Sequence, residues 1–171
     1  VLACDGTNSA LRDKFELKTT VKDHHQQAIV ANIDISKPHE STAYERFTHM
    51  GTLALLPLNN NRMTSVLSVD SNDFSMLEKL NDADYLRNLQ QLFGKKLGSF
   101  GNLGKRFTYP LQSLHCTDMQ RERFLLLGNA VHTINPIAAQ GLNLALRDIA
   151  VLYDCIKREG ANQLALQSYT E

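Results

Sequence analysis

The sequence lacks the features of a zinc knuckle, a nucleic-acid interface or a membrane span. Its three cysteines, Cys4, Cys116 and Cys155, are far apart and form no CxxC pair, as expected for reduced thiols in a cytoplasmic protein. The 18 basic and 18 acidic residues balance, and no basic patch indicates a nucleic-acid partner. No apolar run approaches the roughly 20 residues that a membrane span needs. We therefore expect a cytoplasmic globular protein without a membrane span.

The chain also lacks a conventional beginning and end. It opens without Met on Val1, in what reads as the end of a buried strand, and residues 164–171 read as a helix cut in mid-turn. A length of 171 residues is enough for one domain, or one and a part. We therefore expect a fragment of a longer protein.

Alternating apolar and polar residues predict an antiparallel sheet in the middle of the chain. Ile29, Ala31, Ile33 and Ile35 would share one buried face of a strand. Strands are predicted at residues 27–35, 44–49, 52–58 and 63–69, with an edge or short strand at 105–111 that crosses Pro110. A helix is predicted at residues 82–93, ended by Gly94.

Two buried strands lie far apart in the sequence, one ending near Cys4 and one at residues 124–127, and we expect them to flank each other in one sheet. A long helix is predicted at residues 140–157. Its apolar stripe comprises Leu142, Leu146, Ile149, Tyr153 and Ile156. The predicted fold class is α/β, with an antiparallel part at residues 21–115 inserted between residues 1–20 and 116–171.

The first candidate motif follows the opening strand and contains Asp5, Gly6, Ser9 and Arg12. The glycine allows a tight turn and a close approach of the backbone to a ligand. Ser9 and Arg12 would lie near each other on a short helical turn, and Asp5 could accept a hydrogen bond from Arg12. The alternative is an ordinary strand-to-helix turn.

The second candidate motif runs from Gly128-Asn129 through a loop with Pro136 to a helix that starts near Gln140-Gly141. A helix N-terminus offers free N–H groups and favours an anion or a polarised carbonyl. Small residues would let a flat ligand approach the backbone, and these are Ala138, Ala139 and Gly141. The alternative is a buried loop with a glycine near a helix start.

Together the two motifs resemble the class A flavoprotein monooxygenases, which have the para-hydroxybenzoate hydroxylase fold. The first motif is similar to that family's Asp-Gly fingerprint, and the second to its Gly-Asp fingerprint, although Asn129 stands where the family usually has Asp. The GxGxxG fingerprint is absent, which fits a chain that begins after it. Residues 45–48, 53–57 and 104–111 resemble the ubiquinone-biosynthesis branch.

The resemblance implies FAD as cofactor, NAD(P)H as co-substrate and a polyprenyl phenol as substrate of an aromatic monooxygenase, with no side chain assigned to catalysis. The cofactor would be bound by Asp5, Gly6, Arg12, Gly128, Asn129, Pro136, Gln140, Gly141, Leu142 and Asn143, with Ile137 beside the flavin ring. The apolar walls of the substrate site would be Phe47, Leu55 and Tyr109. A quinone-biosynthesis protein complex and peripheral membrane contact are the further partners that it suggests.

Two alternatives stay open: an FAD-dependent reductase on the same fold, and a non-catalytic module of a quinone-synthesis assembly. Other patterns are weaker. The glycines at 98, 101 and 104 read as a flexible connection, and His24-His25 reads as a polar loop rather than a metal site. His132 lies inside the second motif and either contacts the ligand or fills space. Asp148, beside Arg147, reads as half of a structural ion pair.

Overall fold

The computed structural model describes residues 1–136 and 139–170. The chain divides into two compact units. The first unit combines Val1–His24 with Gln112–Glu171, and the second unit is His25–Leu111. The strands are β1 (Leu2–Ala3), β2 (Thr19–Ile35), β3 (Tyr44–Thr48), β4 (Gly51–Pro57), β5 (Arg62–Asp70), β6 (Phe100–Leu103), β7 (Phe107–Cys116), β8 (Gln120–Arg121), β9 (Phe124–Leu126) and β10 (His132–Thr133). The helices are α1 (Ala10–Lys14), α2 (Ser71–Leu77), α3 (Asp82–Phe93), α4 (Gly141–Glu159) and α5 (Gln163–Thr170), with a 3₁₀ turn at Gly128–Ala130.

The first unit contains the parallel strand pair that the sequence predicts. Leu2 aligns with Leu125 and Ala3 with Leu126, so β1 and β9 run side by side, and β8 extends this sheet on the other edge of β9. All three residues of β9 are buried, as a fully apolar strand requires. The turns that follow β1 and β9 therefore begin at the same edge of the sheet.

The second unit is built on the antiparallel strands β3, β4, β5 and β2, with β6 pairing the end of β2. The predicted inward residues of β2 are buried, as are the facing residues of β4 and β5. Helices α2 and α3 supply Leu77, Tyr85 and Leu89 to the same core. The side chain of Asn81 caps α3 by accepting from the N–H of Asp84, and Gly94 ends it at φ 87°.

Two expectations about these elements are wrong. Strand β7 has ten residues and lies between β10 and β2, so the expectation of a short strand is wrong. Its partner β10 aligns with Leu114 and His115 and does not reach Pro110. His24 and His25 lie within β2 rather than in a loop, and no cluster of potential metal ligands occurs in the described residues.

The predicted apolar stripe of α4 is present, and four of its residues are exposed. Leu142, Leu146, Ile149 and Tyr153 are 56% to 70% exposed, and the helix buries Leu152 and Cys155 instead. Periodicity shows that one face is apolar, but it does not show which part of the protein covers that face. Within residues 1–136 and 139–170, no helix is long and apolar enough to cross a membrane.

Candidate functional site

The turn after β1 is organised by the carboxylate of Asp5. Its two oxygens accept hydrogen bonds from Ser9 Oγ at 2.6 Å and from the N–H of Leu11 at 3.2 Å. The hydrogen bond from Ser9 is the main cause that holds the pKa of Asp5 below its usual value. Ser9 also caps α1, because its Oγ accepts from the N–H of Arg12 at 3.0 Å. The expected proximity of Ser9 and Arg12 is confirmed.

The expected hydrogen bond from Arg12 to Asp5 is wrong, because the Arg12 side chain points the other way. Only 6% of Arg12 is exposed, and its Nη1 donates to the carbonyl oxygen of Ala130 at 3.1 Å. Its Nε lies 3.6 Å from Asp13, too far for a hydrogen bond. Arg12 therefore ties the first motif to the second, and direct contact with a cofactor stays a prediction for this residue.

A second contact joins the two motifs. The hydroxyls of Thr7 and Thr133 lie 2.8 Å apart, and Thr133 also donates to the carbonyl oxygen of Asn129 at 3.3 Å. Sequence reasoning missed this pair, since two threonines 126 positions apart form no motif. With the parallel pairing of β1 and β9, these bonds hold the Asp-Gly turn beside the Gly-Asn turn.

The second motif leaves β9 through Gly128, which has φ 58° in the left-handed region that favours glycine. The backbone then makes a 3₁₀ turn in which Ala130 is buried and Asn129 is exposed. Val131 is anchored by its carbonyl oxygen, which accepts from the N–H of Cys116 at 2.8 Å. The side chain of Asn129 is thus presented outward from a fixed backbone.

The start of α4 has the features that a flat, electron-rich ligand requires. No side chain caps its N-terminus, and its first turn carries no acidic residue. A Cβ atom added to Gly141 would meet no described atom within 4 Å, and the same holds at Gly6 in the first motif. Both glycines therefore border open space, and the uncapped N–H groups of α4 favour negative charge there. These residues fit the flavin that the resemblance implies.

The structure describes part of the loop that connects the turn at Gly128-Asn129 with the start of α4. Pro136 is exposed and its carbonyl oxygen accepts from the N–H of Ala139 at 2.9 Å. Gln140, Leu142 and Asn143 are exposed at the helix start. Ile137 and Ala138, expected to lie near the ligand, fall outside the described residues.

The predicted substrate walls do not share one surface of the second unit. Leu55 aligns with Tyr44 on the face covered by α2 and α3 and is fully buried, so its predicted place in the wall is wrong. Phe47 alternates with Tyr44 along β3 and therefore lies on the opposite, open face, where it is 73% exposed. Thr108 lines a cavity with Ile29 on the covered face, so the neighbouring Tyr109, 53% exposed, belongs to the open face.

The open face also carries apolar residues that the sequence did not single out. Val30, Ala54 and Val66 are directly aligned across β2, β5 and β4, and Leu56 follows Ala54 on the same face at 45% exposure. Their alternation with the buried residues of the same strands was visible in the sequence. The sequence could not show that, within this unit, helices cover one face of the sheet and leave the other face without a helix.

Comparison with known proteins bears on both units. A family model described as FAD binding domain matches residues 1–171. The chain is 31% identical over 156 residues to the uncharacterized protein slr1300 of Synechocystis, covering 91% of this chain and 38% of that protein. It is 32% identical over 152 residues to the ubiquinone hydroxylase UbiL of Rhodospirillum rubrum, covering 89% of this chain and 35% of that protein.

Solved structures give the same fold. The crystal structure of PqsL, a probable FAD-dependent monooxygenase from Pseudomonas aeruginosa, matches with a TM-score of 0.75 at 20% identity. The match covers 99% of this chain and 50% of that one. The expected fold class is thereby confirmed. The chain spans well under half the length of the two relatives that it matches.

Proposed function

Because the chain belongs to the FAD-binding-domain family, we propose that it forms part of an FAD-dependent, NAD(P)H-consuming monooxygenase that hydroxylates the ring of a polyprenyl phenol in ubiquinone biosynthesis. The observation that carries the proposal is the meeting of the two motifs, each of which contributes a glycine that borders open space. Bound FAD, reduced by NAD(P)H, supplies the chemistry that couples dioxygen to hydroxylation, while the protein supplies binding, orientation and electrostatics.

The helix start would stabilise negative charge on the reduced flavin. Helix α4 begins after Gln140, whose side chain makes no capping hydrogen bond, and the first turn, which includes Gly141 and Leu142, carries no acidic residue that would compensate the positive end of the helix. Gly141 would let the pyrimidine edge of the ring rest against the backbone, because no atom of the described chain lies within 4 Å of its Cβ position.

The ribityl hydroxyls of FAD would be bound by the Gly-Asn turn of the second motif and by the Asp-Gly turn of the first motif. Asn129 is exposed and offers an amide oxygen as an uncharged acceptor. Asp5 is exposed beside Gly6 and stays ionised to a lower pH than usual, because Ser9 donates to it. Arg12 would contribute indirectly, because it donates a hydrogen bond to the carbonyl oxygen of Ala130 and so stabilises the turn that carries Asn129.

The open sheet face of the second unit is our candidate for the substrate platform. Phe47 and Tyr109 retain their predicted role there, and Leu56 replaces Leu55. A polyprenyl phenol needs apolar walls around its ring and chain, and this face offers aromatic and aliphatic side chains without a covering helix from its own unit. UbiL, a relative of this chain, is a ubiquinone hydroxylase, which supports that substrate class. Within that class, residues 45–48, 53–57 and 104–111 resemble 2-octaprenyl-6-methoxyphenol hydroxylase.

We further propose that the working protein is longer than this chain. The exposed stripe of α4 would cost free energy in water, at about 25 cal/mol for each Å² of apolar surface that stays uncovered. The relatives contain more than twice as many residues as the chain spans. Additional polypeptide that covers α4 and supplies the dinucleotide half of the FAD site would account for both facts.

Oxygen isotope transfer tests the function. It is measured in the parent protein, which is our name for the longer working protein that contains this chain. The purified protein is supplied with FAD, NAD(P)H, a prenylated phenol and ¹⁸O₂, and the product is analysed by mass spectrometry. The proposal predicts a hydroxylated ring that carries one ¹⁸O atom. A reduced prenyl chain formed without oxygen would indicate the reductase alternative, and a protein that never takes up flavin would indicate the non-catalytic assembly module.

A further inference from the structure

One buried polar pair is used neither by the core nor by the proposed contacts to FAD. His132 lies on β10 at the start of the second-motif loop, and Asp148 lies on α4, seven residues after its first residue. Nε2 of His132 is 3.3 Å from Oδ2 of Asp148. Both atoms are buried, and the contact lies within ion-pair distance without the geometry of a hydrogen bond, so neither atom has a hydrogen-bond partner within the described part of the chain. Each therefore depends on the other, because an unpaired buried polar atom is costly.

The sequence predicted that Asp148, beside Arg147, is half of a structural ion pair, and the partner that the structure shows within ion-pair distance is His132. Consecutive residues on a helix point about 100° apart, so their side chains do not face each other. The surroundings of the pair contain Arg147 and Tyr169, with Met119, Val131 and Val151 completing the lining of a cavity of about 280 Å³. Burial, and secondarily the negative charge of Asp148, raises the pKa of Tyr169 to about 12, so this phenol stays neutral beside the carboxylate.

The position of the pair gives it a specific effect on the loop. The chain leaves β10 at Thr133, passes through the loop and returns as α4, so the contact of His132 with Asp148 ties the beginning of the loop to the helix that the loop enters. On the other side, Thr133 is tied to Thr7 in the Asp-Gly turn.

We propose that Asp148 is a positioning residue that fixes the imidazole of His132 and, through it, the described residues from Thr133 to Pro136, which under the proposed function lie beside the flavin. This inference rests on the proposed function, since it assigns the pair a role in cofactor binding. Asp148 itself contacts no cofactor. Its loss changes the affinity for FAD and the environment of the ring rather than the fold of the first unit.

The test compares Asp148→Asn with Asp154→Asn in the parent protein. Asp154 is on the same helix and exposed, so its replacement makes the same chemical change without breaking the pair. Three quantities are measured: the dissociation constant of FAD from the reconstituted apoprotein, the visible circular dichroism of the bound flavin, and the melting temperature of the apoprotein. We expect Asp148→Asn to weaken FAD binding about tenfold, the scale of the coupling between residues in direct contact, and to alter the flavin spectrum. Asp154→Asn should change neither.

A double-mutant cycle keeps the test decisive if the apoprotein is also destabilised. If Asp148 acts through His132, then Asp148→Asn adds nothing to the effect of His132→Asn on FAD affinity. Equal FAD affinity and an equal spectrum in wild-type protein and Asp148→Asn would overturn the inference, as would fully additive effects in the cycle. A parent protein that binds no FAD in any variant would instead refute the proposed function.

Discussion

The two units differ in how completely they bury their own apolar faces. In the second unit, the inward residues of β2, β4 and β5 meet α2 and α3, and Tyr85 and Leu89 are fully buried. In the first unit, α4 buries Leu152 and Cys155 but exposes the stripe that includes Leu146 and Ile149. A helix with one bare apolar face signals a missing partner surface. We infer that the second unit is structurally self-sufficient and that the first unit, which carries both cofactor motifs, is not.

The largest effect expected from this difference is on FAD affinity. The isolated chain should bind FAD weakly or not at all, because the bare helix and the absent GxGxxG motif leave the dinucleotide half of the site unmade. Fluorescence titration of the purified chain, with the parent protein as positive control, measures this. A dissociation constant below about 1 μM for the chain alone would contradict the claim that the first unit is incomplete.

The next largest effect is expected when apolar residues are truncated, because the loss of unfolding free energy should differ between the two units. Leu89→Ala removes a fully buried side chain from the second unit and should lower the free energy of unfolding by about 2–5 kcal/mol. Ile149→Ala, at 56% exposure, should change the stability of the isolated chain by no more than about 0.5 kcal/mol.

Urea denaturation of the chain and of the parent protein checks both values. In the parent protein, where additional polypeptide would cover α4, Ile149→Ala should become clearly destabilising. Equal and small effects of Ile149→Ala in both proteins would show that this helix face stays exposed.

A smaller effect is expected at Asn129 in the parent protein. Asn129→Asp should keep or tighten FAD binding by about 1 kcal/mol, because a charged acceptor makes a stronger hydrogen bond. Asn129→Leu should weaken FAD binding, since it removes the acceptor from an exposed position. Retained flavin after gel filtration compares the three proteins. Identical retention would remove Asn129 from the site.

The second unit was also the more predictable from sequence. The bounds of α3 were predicted correctly at both ends, because Asn81 caps the helix and Gly94 stops it. The alternation along β2 correctly gave its buried face. Leu55 was misassigned because alternation separates two faces without telling which one helices cover. Such local signals suffice where an element and its partner lie in the same unit.

In the first unit the sequence identified the motifs but not their contacts. The resemblance pointed to Arg12, yet its bond to the carbonyl oxygen of Ala130 spans 118 positions and could not be deduced from spacing. The contact between His132 and Asp148 could not be deduced from spacing either, since it depends on the path that the chain takes from β10 to α4. Long-range contacts of this kind follow from the fold, and the fold fixes them only once the strands β1 and β9 are paired.

The central claim is that the flavin rests against the start of α4, and Gly141→Val in the parent protein tests it most directly. A Cβ atom there meets no atom of the described residues within 4 Å, and Gly141 is absent from the positions with positive φ, so the protein itself should tolerate valine. Melting temperature of the apoprotein, bound FAD and NAD(P)H oxidation are measured on one sample. We predict an unchanged melting temperature, reduced FAD content and turnover lowered about a hundredfold by a displacement of ~1 Å. Normal FAD content together with normal turnover would contradict the assignment.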